Sequence, residues 1–405
     1  MKAVLARLGP GLLYAGAAVG VSHLVQSTRA GANYGLLMIL VVIAANIIKY
    51  PFFKAGPLFA AANKKSLLEA FFQQGKWAML LFYAVTISGM FTVQAVVTLL
   101  TASVFSSVFN LSMPLWQISA LLLLICTSVL TIGSYRVLDS IMKTVIILLA
   151  ITTLITVLAA FIFSDSAGTS IHTFSFTNQA DLFFLIALIG WMPAPLDIAL
   201  WHSEWTLDAA NEKREPLSIS KSVFDFNIGY WGTTALAVAF VALGAFLLGK
   251  NGTELPASGV AFSGQLIDMY VSTLGKWSFG FVALAAFTTM FSTTLTVLDA
   301  YPRVLQKAFQ LSVPTSNQRL YPLLIVIVAL GALFVLVFQL DNMRQLVDFA
   351  TSVSFVTAPI LASLIYFVVQ KNAVQLFSNI ERYIAWFGLV FLYAFSLYYI
   401  WATWM

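Results

Sequence analysis

The stretch Gly190-Trp191-Met192-Pro193-Ala194-Pro195 interrupts an apolar run that otherwise reads as one helix over residues 181–203. Two prolines two residues apart remove N–H donors and clash with preceding carbonyls. The first apolar run is interrupted too. It reads Tyr14-Ala-Gly-Ala-Ala-Val-Gly-Val-Ser-His23, with Gly16 and Gly20 near its middle. In hydrocarbon every backbone polar group needs an internal partner, so a broken helix is tolerated only where its freed groups line a cavity or are covered by protein. A single Gly or Pro can simply kink a membrane helix or help it pack. Two breaks five spans apart, in helices of opposite orientation, point instead to an inverted repeat with its solute site at the paired breaks.

The composition supports a membrane setting. Of 405 residues, 60% are hydrophobic and 9% charged, against about 25% charged in a soluble domain. The apolar runs reach the roughly 20 residues that span a bilayer. They predict an all-α integral membrane protein of about eleven transmembrane helices, near residues 8–28, 33–62, 77–108, 114–134, 140–163, 181–203, 224–249, 274–300, 319–340, 343–370 and 381–404. The chain is expected to be one transmembrane domain. Repeat one covers about 8–163, repeat two about 181–370, and an extra helix about 381–404.

The cations give the orientation. With a cytoplasmic N-terminus, only Arg29, Lys250, Lys276 and Arg344 fall outside, while the other Lys and Arg, Lys49 and Lys54 among them, fall inside. This asymmetry predicts a multi-pass protein of the cell membrane with its C-terminus outside. The same single placement of cations at helix ends argues against a nucleic-acid partner. The first run lacks a signal-peptide cleavage site and is read as the first span. The stretch 204–215 is expected to be a short surface helix, and Asn251-Gly252-Thr253 matches a glycosylation sequon.

Catalytic and cofactor signatures are not found. Cys126 is the sole cysteine and the three histidines have no zinc spacing. HExxH, paired-aspartate and GxSxG motifs are absent, which argues against an intramembrane enzyme. With no Walker A motif, a primary pump is also disfavoured. The partners expected are a small-molecule or ion substrate and the lipid bilayer, with no requirement for an oligomer.

At the two breaks the sequence resembles the NRAMP family of proton-coupled divalent metal transporters. Gly9-Pro10-Gly11 is similar to the family's opening of span one. Ala30-Gly31-Ala32 with Gly35 is similar to its small-residue segment before span two, and Met192-Pro193 to the start of its Met-Pro-His motif. The resemblance implies a leucine-transporter-type fold with a 5+5 inverted repeat and broken helices 1 and 6. It also exposes departures. The family's Asp-Pro-Gly-Asn falls on Gly20, Val21, Ser22 and His23. Its metal-binding aspartate is thus Gly20 and its asparagine His23. Met192 is kept, and the family's histidine is Ala194.

Without that carboxylate, a divalent ion in a low-dielectric cavity becomes costly. One reading is therefore a small organic or anionic solute. It would be held at the half-helix N-termini, which carry free N–H groups and partial positive charge. Ile189, Trp191 and Ala194 lie on the span-six side of this site, with Trp191 and Tyr14 as apolar walls. His23, Gln26 and Ser27, spaced i, i+3 and i+4, form the span-one side. The alternative is a soft metal ion on His23, Met192 and unwound carbonyls near Gly20 and Ile189. The bland readings remain open: His23 hydrogen-bonds locally, and Met192 packs as an apolar wall.

Coupling to H+ or Na+ is expected. Span eight carries Thr289, Ser292, Thr293, Thr296 and Asp299 on one face. By resemblance, Ser292 and Thr293 are candidates for a sodium site. Otherwise these hydroxyls bond back to their own helix. Asp197, just past the break, is the proton-coupling candidate, or it caps a helix. Asp299 and Arg303, at i and i+4, are expected to pair. Thr351, Ser352, Ser354 and Thr357 are weaker cavity candidates. A non-transporting membrane solute sensor is the second alternative to a secondary transporter.

Overall fold

The computed structural model describes residues 9–132, 149–162, 172–214, 216–248, 256–313, 320–338, 342–372 and 376–404. Among these residues every regular element is helical and none is a strand. Eight helices are long and apolar enough to cross a membrane, and two shorter apolar ones, Leu149–Ile162 and Gln179–Gly190, accompany them. The sequon and the start of the fifth span lie outside the described residues.

The first span is α1 (Pro10–Ala18), then a break at Val19–Gly20, then a π-helix (Ser22–Ser27) running into α2 (Thr28–Tyr34). Pro10 starts α1, where its missing N–H costs nothing. Gly35, at φ 71°, turns the chain through a 3-10 segment into α3 (Met38–Asn63). Next come a short α4 (Leu67–Gln74), closed by a Ser66/Glu69 capping box, then α5 (Lys76–Phe109) and α6 (Leu115–Ile132). The short helix Leu149–Ile162 is α7.

The sixth span is α8 (Gln179–Gly190), a non-helical stretch, and α9 (Ile198–Lys213). The expected surface helix is not a separate element. Residues 204–213 continue α9, because His202, Ser203 and Trp205 are buried and hold that helix in the bundle. Then follow α10 (Ile219–Leu243), which ends in a π-helical turn, and α11 (Gly259–Leu274). The spans expected from the sequence, 224–249 and 274–300, place no helix over the residues of α11. That helix forms because Phe262, Leu266, Ile267 and Tyr270 make one buried face against α5. The chain ends with α12 (Phe279–Ser312), α13 (Leu320–Phe338), α14 (Met343–Asn372) and α15 (Asn379–Trp404).

The two broken spans sit in the middle of the bundle, α1 against α10 and α12, and α8 against α14. Large apolar side chains such as Leu80, Leu124, Leu330, Phe334 and Phe387 face outward, as a lipid-covered surface requires. Between helices, where lipid offers no less apolar a contact, small residues allow close approach. A Cβ at Gly31 would lie 1.8 Å from the Val241 carbonyl oxygen, and one at Gly244 would lie 2.1 Å from that of Thr28. The backbones of α2 and α10 therefore touch directly.

One cation was misassigned by the loop count. Lys49 belongs to no cytoplasmic loop: it lies mid-way along α3 and is 1% exposed. Its role is described below.

The α2–α10 contact has a direct test. Gly31→Val forces the two backbones apart and should cost about 1–3 kcal/mol, read as a lower thermal unfolding midpoint in detergent. An unchanged midpoint would mean that this contact is not rigid.

Candidate functional site

The break in span one begins where Val19 turns extended, at φ −76° and ψ 92°. The helix restarts with His23 and Leu24 donating to the Gly20 carbonyl at 3.1 and 2.9 Å. The break in span six is filled by Trp191–Asp197. Between the two lies a small cavity of about 20 Å³, lined by Gly20, Val21, Ser22, Trp191, Pro195 and Thr293 among others. That is room for about one water. Five residues singled out by sequence, Gly20, Val21, Ser22, Trp191 and Thr293, thus share one wall-to-wall space.

The others are placed around it. Ser22 Oγ lies 3.1 Å from the Ala18 carbonyl and 3.4 Å from that of Pro193, so it joins the two breaks. His23 is wholly buried, with Nε2 3.0 Å from the Thr233 carbonyl and Nδ1 2.8 Å from Ser22 Oγ. A carbonyl only accepts, so Nε2 carries a proton, and in the neutral ring Nδ1 accepts from Ser22. Both nitrogens are therefore engaged with protein. Met192 and Ala194 are fully buried in the apolar core. Tyr14 stacks on His202, ring centroids 5.7 Å apart, within an aromatic cluster of Phe53, Phe226 and Tyr230.

His23, Gln26 and Ser27 do not act as one face. The segment is a π-helix, closed i to i+5, as Ser27 Oγ donating to the Ser22 carbonyl at 3.0 Å illustrates. The wider turn rotates Gln26 away from His23. Gln26 instead donates to Asp348 at 3.0 Å and accepts from Arg29 at 3.0 Å. Arg29 and Asp348 form a two-pronged ion pair at 2.7 and 3.1 Å, and the guanidinium lies 5.1 Å over the Phe184 ring. This cluster ties α2 to α14 and α8 at one end of the site.

The opposite end is tied differently. The Asp225 carboxylate of α10 accepts the Gly9 and Gly11 amides at 3.1 and 2.7 Å. It caps the free amides of α1, whose N-cap, Gly9, has no side chain to do so.

On span eight, Thr293 Oγ1 lies 3.2 Å from the Gly16 carbonyl, 3.1 Å from that of Val19 and 3.1 Å from that of Thr289. One hydroxyl proton faces three acceptors. Ser292 is buried beside it, and Thr289 Oγ1 is buried without a partner. Asp197 precedes α9 but makes no side-chain cap bond. As a residue it is half-buried. Asp299 pairs with Arg303 as its spacing implies, at 2.8 to 3.1 Å, and also accepts from Tyr321. In span ten, Ser354 accepts from the Trp191 indole at 2.7 Å, whereas Thr351 and Thr357 bond back to their own helix.

The residue that sequence reasoning missed is Lys49. Its ammonium lies 2.5 Å from the Ile189 carbonyl and 3.0 Å from that of Gly190, the last two residues of α8. The signal was there, since an ionisable residue in mid-span is a functional candidate by default.

Comparison with known proteins agrees with this architecture. The family model described as natural resistance-associated macrophage protein-like matches residues 11–402. An uncharacterized protein of Pasteurella multocida (strain Pm70) is 34% identical over 400 residues, covering 98% of this chain and 92% of that protein. Among solved structures, the Eremococcus coleocola manganese transporter, in complex with an aromatic bis-isothiourea substituted compound, superposes with a TM-score of 0.70 at 12% identity. The match covers 98% of this chain and 86% of that one. Mhp1, a nucleobase-cation-symport-1 family transporter, superposes with a TM-score of 0.63 at 12% identity, over 98% and 92% of the two chains.

The Arg29–Asp348 pair yields a prediction. Asp348→Asn strands a buried guanidinium. Because Asp348 is about one-third exposed, the expected loss is about 1–2 kcal/mol, below the 3–5 kcal/mol of a fully buried pair. A thermal melt measures it. A cysteine placed at Val21 should also label faster with a small thiol reagent in that variant. Unchanged stability and labelling would mean that the cluster does not hold this end of the site together.

Proposed function

The chain belongs to the natural resistance-associated macrophage protein-like family, and from that premise we propose that it is an ion-coupled secondary transporter whose solute is a small organic or anionic molecule rather than a divalent metal. The observation that carries this reading is the donor set around the cavity. It presents the Ser22 and Thr293 hydroxyls and backbone groups between apolar walls, one of them the Trp191 ring whose N–H is bonded to Ser354, with no carboxylate at the span-one break. A dehydrated divalent ion would find no compensating charge there. A soft ion would have to displace both hydrogen bonds of His23 and pull Met192 from the core.

The coupling ion of this reading is Na+, held by Thr293 Oγ1 with the Gly16 and Val19 carbonyls. Three acceptors around one hydroxyl proton favour a small cation, which is best coordinated by several oxygens. Asp197, half-buried and uncapped, is the corresponding site if the ion is a proton. Alternating access then requires two closures that open in turn. Arg29 with Asp348 forms the outer one, and Asp225 with the start of α1 the inner one. This assignment takes the N-terminus as cytoplasmic and the C-terminus as outside. The repeats, about 8–163 and 181–370, would rock about the fixed site, with residues 381–404 outside the repeat. A non-transporting sensor would bind solute in the same place without moving it.

The test begins without a known solute. Na+ should raise the thermal midpoint of the purified protein over choline at equal ionic strength. Thr293→Val should abolish that rise, and a rise that survives would discard the sodium site. In liposomes, counter-flow with a panel of small carboxylates and amino acids should show exchange without ATP, and binding without exchange would select the sensor. Heat on titrating Mn2+, lost in His23→Ala, would overturn the organic-solute reading.

A further inference from the structure

The carbonyl end of α8 poses a problem that the chain solves in an unusual way. The helix stops at Gly190, so its last carbonyls lose the regular amides of a continuing helix; that of Ile189 is met only by the Met192 amide at 3.2 Å in the turn beyond. They also carry the negative end of the helix dipole. This end is pinned on its other side: a Cβ at Gly190 would lie 2.2 Å from the Thr351 carbonyl of α14. Into the remaining space reaches the Lys49 ammonium, donating to Ile189 and Gly190 at 2.5 and 3.0 Å.

Among the described residues no carboxylate bonds Lys49. Most acidic groups on the elements packed around α3 are engaged elsewhere: Asp181 of α8 accepts from Tyr34 and the Ser175 amide, and Asp208 of α9 faces Arg303, while one Glu204 oxygen of α9 is buried with no hydrogen-bond partner among the described residues. Asp225 of α10 holds the amides of Gly9 and Gly11. Glu381 of α15 pairs with Lys54, and Glu69 of α4 with Lys307. Asp348 of α14 pairs with Arg29. Asp197 lies across the break at the head of α9 and makes no bond to Lys49. On the same two faces, His202 of α9 stacks on Tyr14, and Tyr230 of α10 donates to the Asn46 carbonyl. The ammonium is held by carbonyls alone, which is how a protein holds a free monovalent cation.

We propose that the end of α8 is a cation site with a built-in occupant: Lys49 is a tethered cation that sets the geometry of the span-six break and keeps free metal and alkali ions off the Ile189 and Gly190 carbonyls. Lys49 is thus a specificity-determining residue, and this assignment rests on the organic-solute reading above. A tethered occupant does not exchange with the medium, because its effective concentration at the site exceeds that of any free ion. The two breaks are then served by unlike cations, an exchangeable one at Thr293 and a permanent one at Lys49. Removing the side chain leaves an empty site sized for a small organic ammonium ion.

The experiment is amine rescue of the purified full chain in detergent. Wild type, Lys49→Ala and Lys49→Met are melted in methylammonium chloride and, as control, in choline chloride. Lys49→Ala should melt several degrees below wild type, and methylammonium should restore at least half of that loss. Lys49→Met, which fills the space with an apolar chain, should stay low in both salts, and wild type should not respond. A Lys49→Ala midpoint equal to wild type, or recovery no greater in methylammonium than in choline, overturns the proposal. Should Lys49→Ala fail to fold, purification in methylammonium must yield it, and a failure to fold there as well overturns it too. The Mn2+ titration of wild type separates the two readings. Heat abolished by His23→Ala undoes the solute assignment, whereas a silent titration with failed amine rescue undoes only the role of Lys49.

Discussion

A membrane interior leaves no backbone group without an internal partner, and this constraint orders the whole molecule. Two helices stop inside the bundle, at Val19–Gly20 and at Gly190–Trp191. Each stop frees carbonyls, and each set of carbonyls is met by a side chain from a different helix. Thr293 of α12 answers the first and Lys49 of α3 the second. The freed amides of α1 are answered by Asp225 of α10. These long-range bonds decide which helices must pack together, and the small-residue contacts of Gly31 and Gly244 bring the backbones close enough to form them.

Much of this was legible in the sequence because Gly and Pro act on the backbone locally. Pro193, Pro195 and Gly20 reveal the breaks without any tertiary information. The stripe Thr289, Ser292, Thr293 and Thr296 follows from ordinary helical spacing, and it fell where α12 does face span one. Gln26 was harder to read. Its partner depends on the π-helical winding of Ser22–Ser27, a wider turn that no periodicity count over six residues reveals. Lys49 was hidden by the orientation tally, which treats every cation as a helix-end residue. Its significance comes from Ile189 and Gly190, some 140 positions away. The helix α11 was missed because its apolar face is short and its flanks are polar.

The two ends of the site are tied in different ways. Arg29, Asp348 and Gln26 form a charged cluster that ties three helices, with Asp348 partly open to the surface. At the other end, neutral amides meet a single carboxylate, and the fit is steric as well: a Cβ on Gly11 would lie 2.1 Å from the Asp225 carbonyl oxygen. Salt screens exposed charges more than it does close-packed amides. The two ends therefore respond differently to the medium, although they enclose the same site.

The helix that restarts at Ser22 ends at Gly35, whose φ of 71° turns the chain before α3 begins at Met38. Ser22 at one break and Lys49 at the other therefore stand on two helices joined by a short bend. Within α3 one inserted residue ahead of Lys49 would turn it by about 100° and move it by about 1.5 Å relative to the bend, carrying the ammonium off the α8 carbonyls. Chain length over residues 38–49 is as constrained as the identity of any side chain there. In relatives that share the lysine, this segment should carry neither insertions nor deletions.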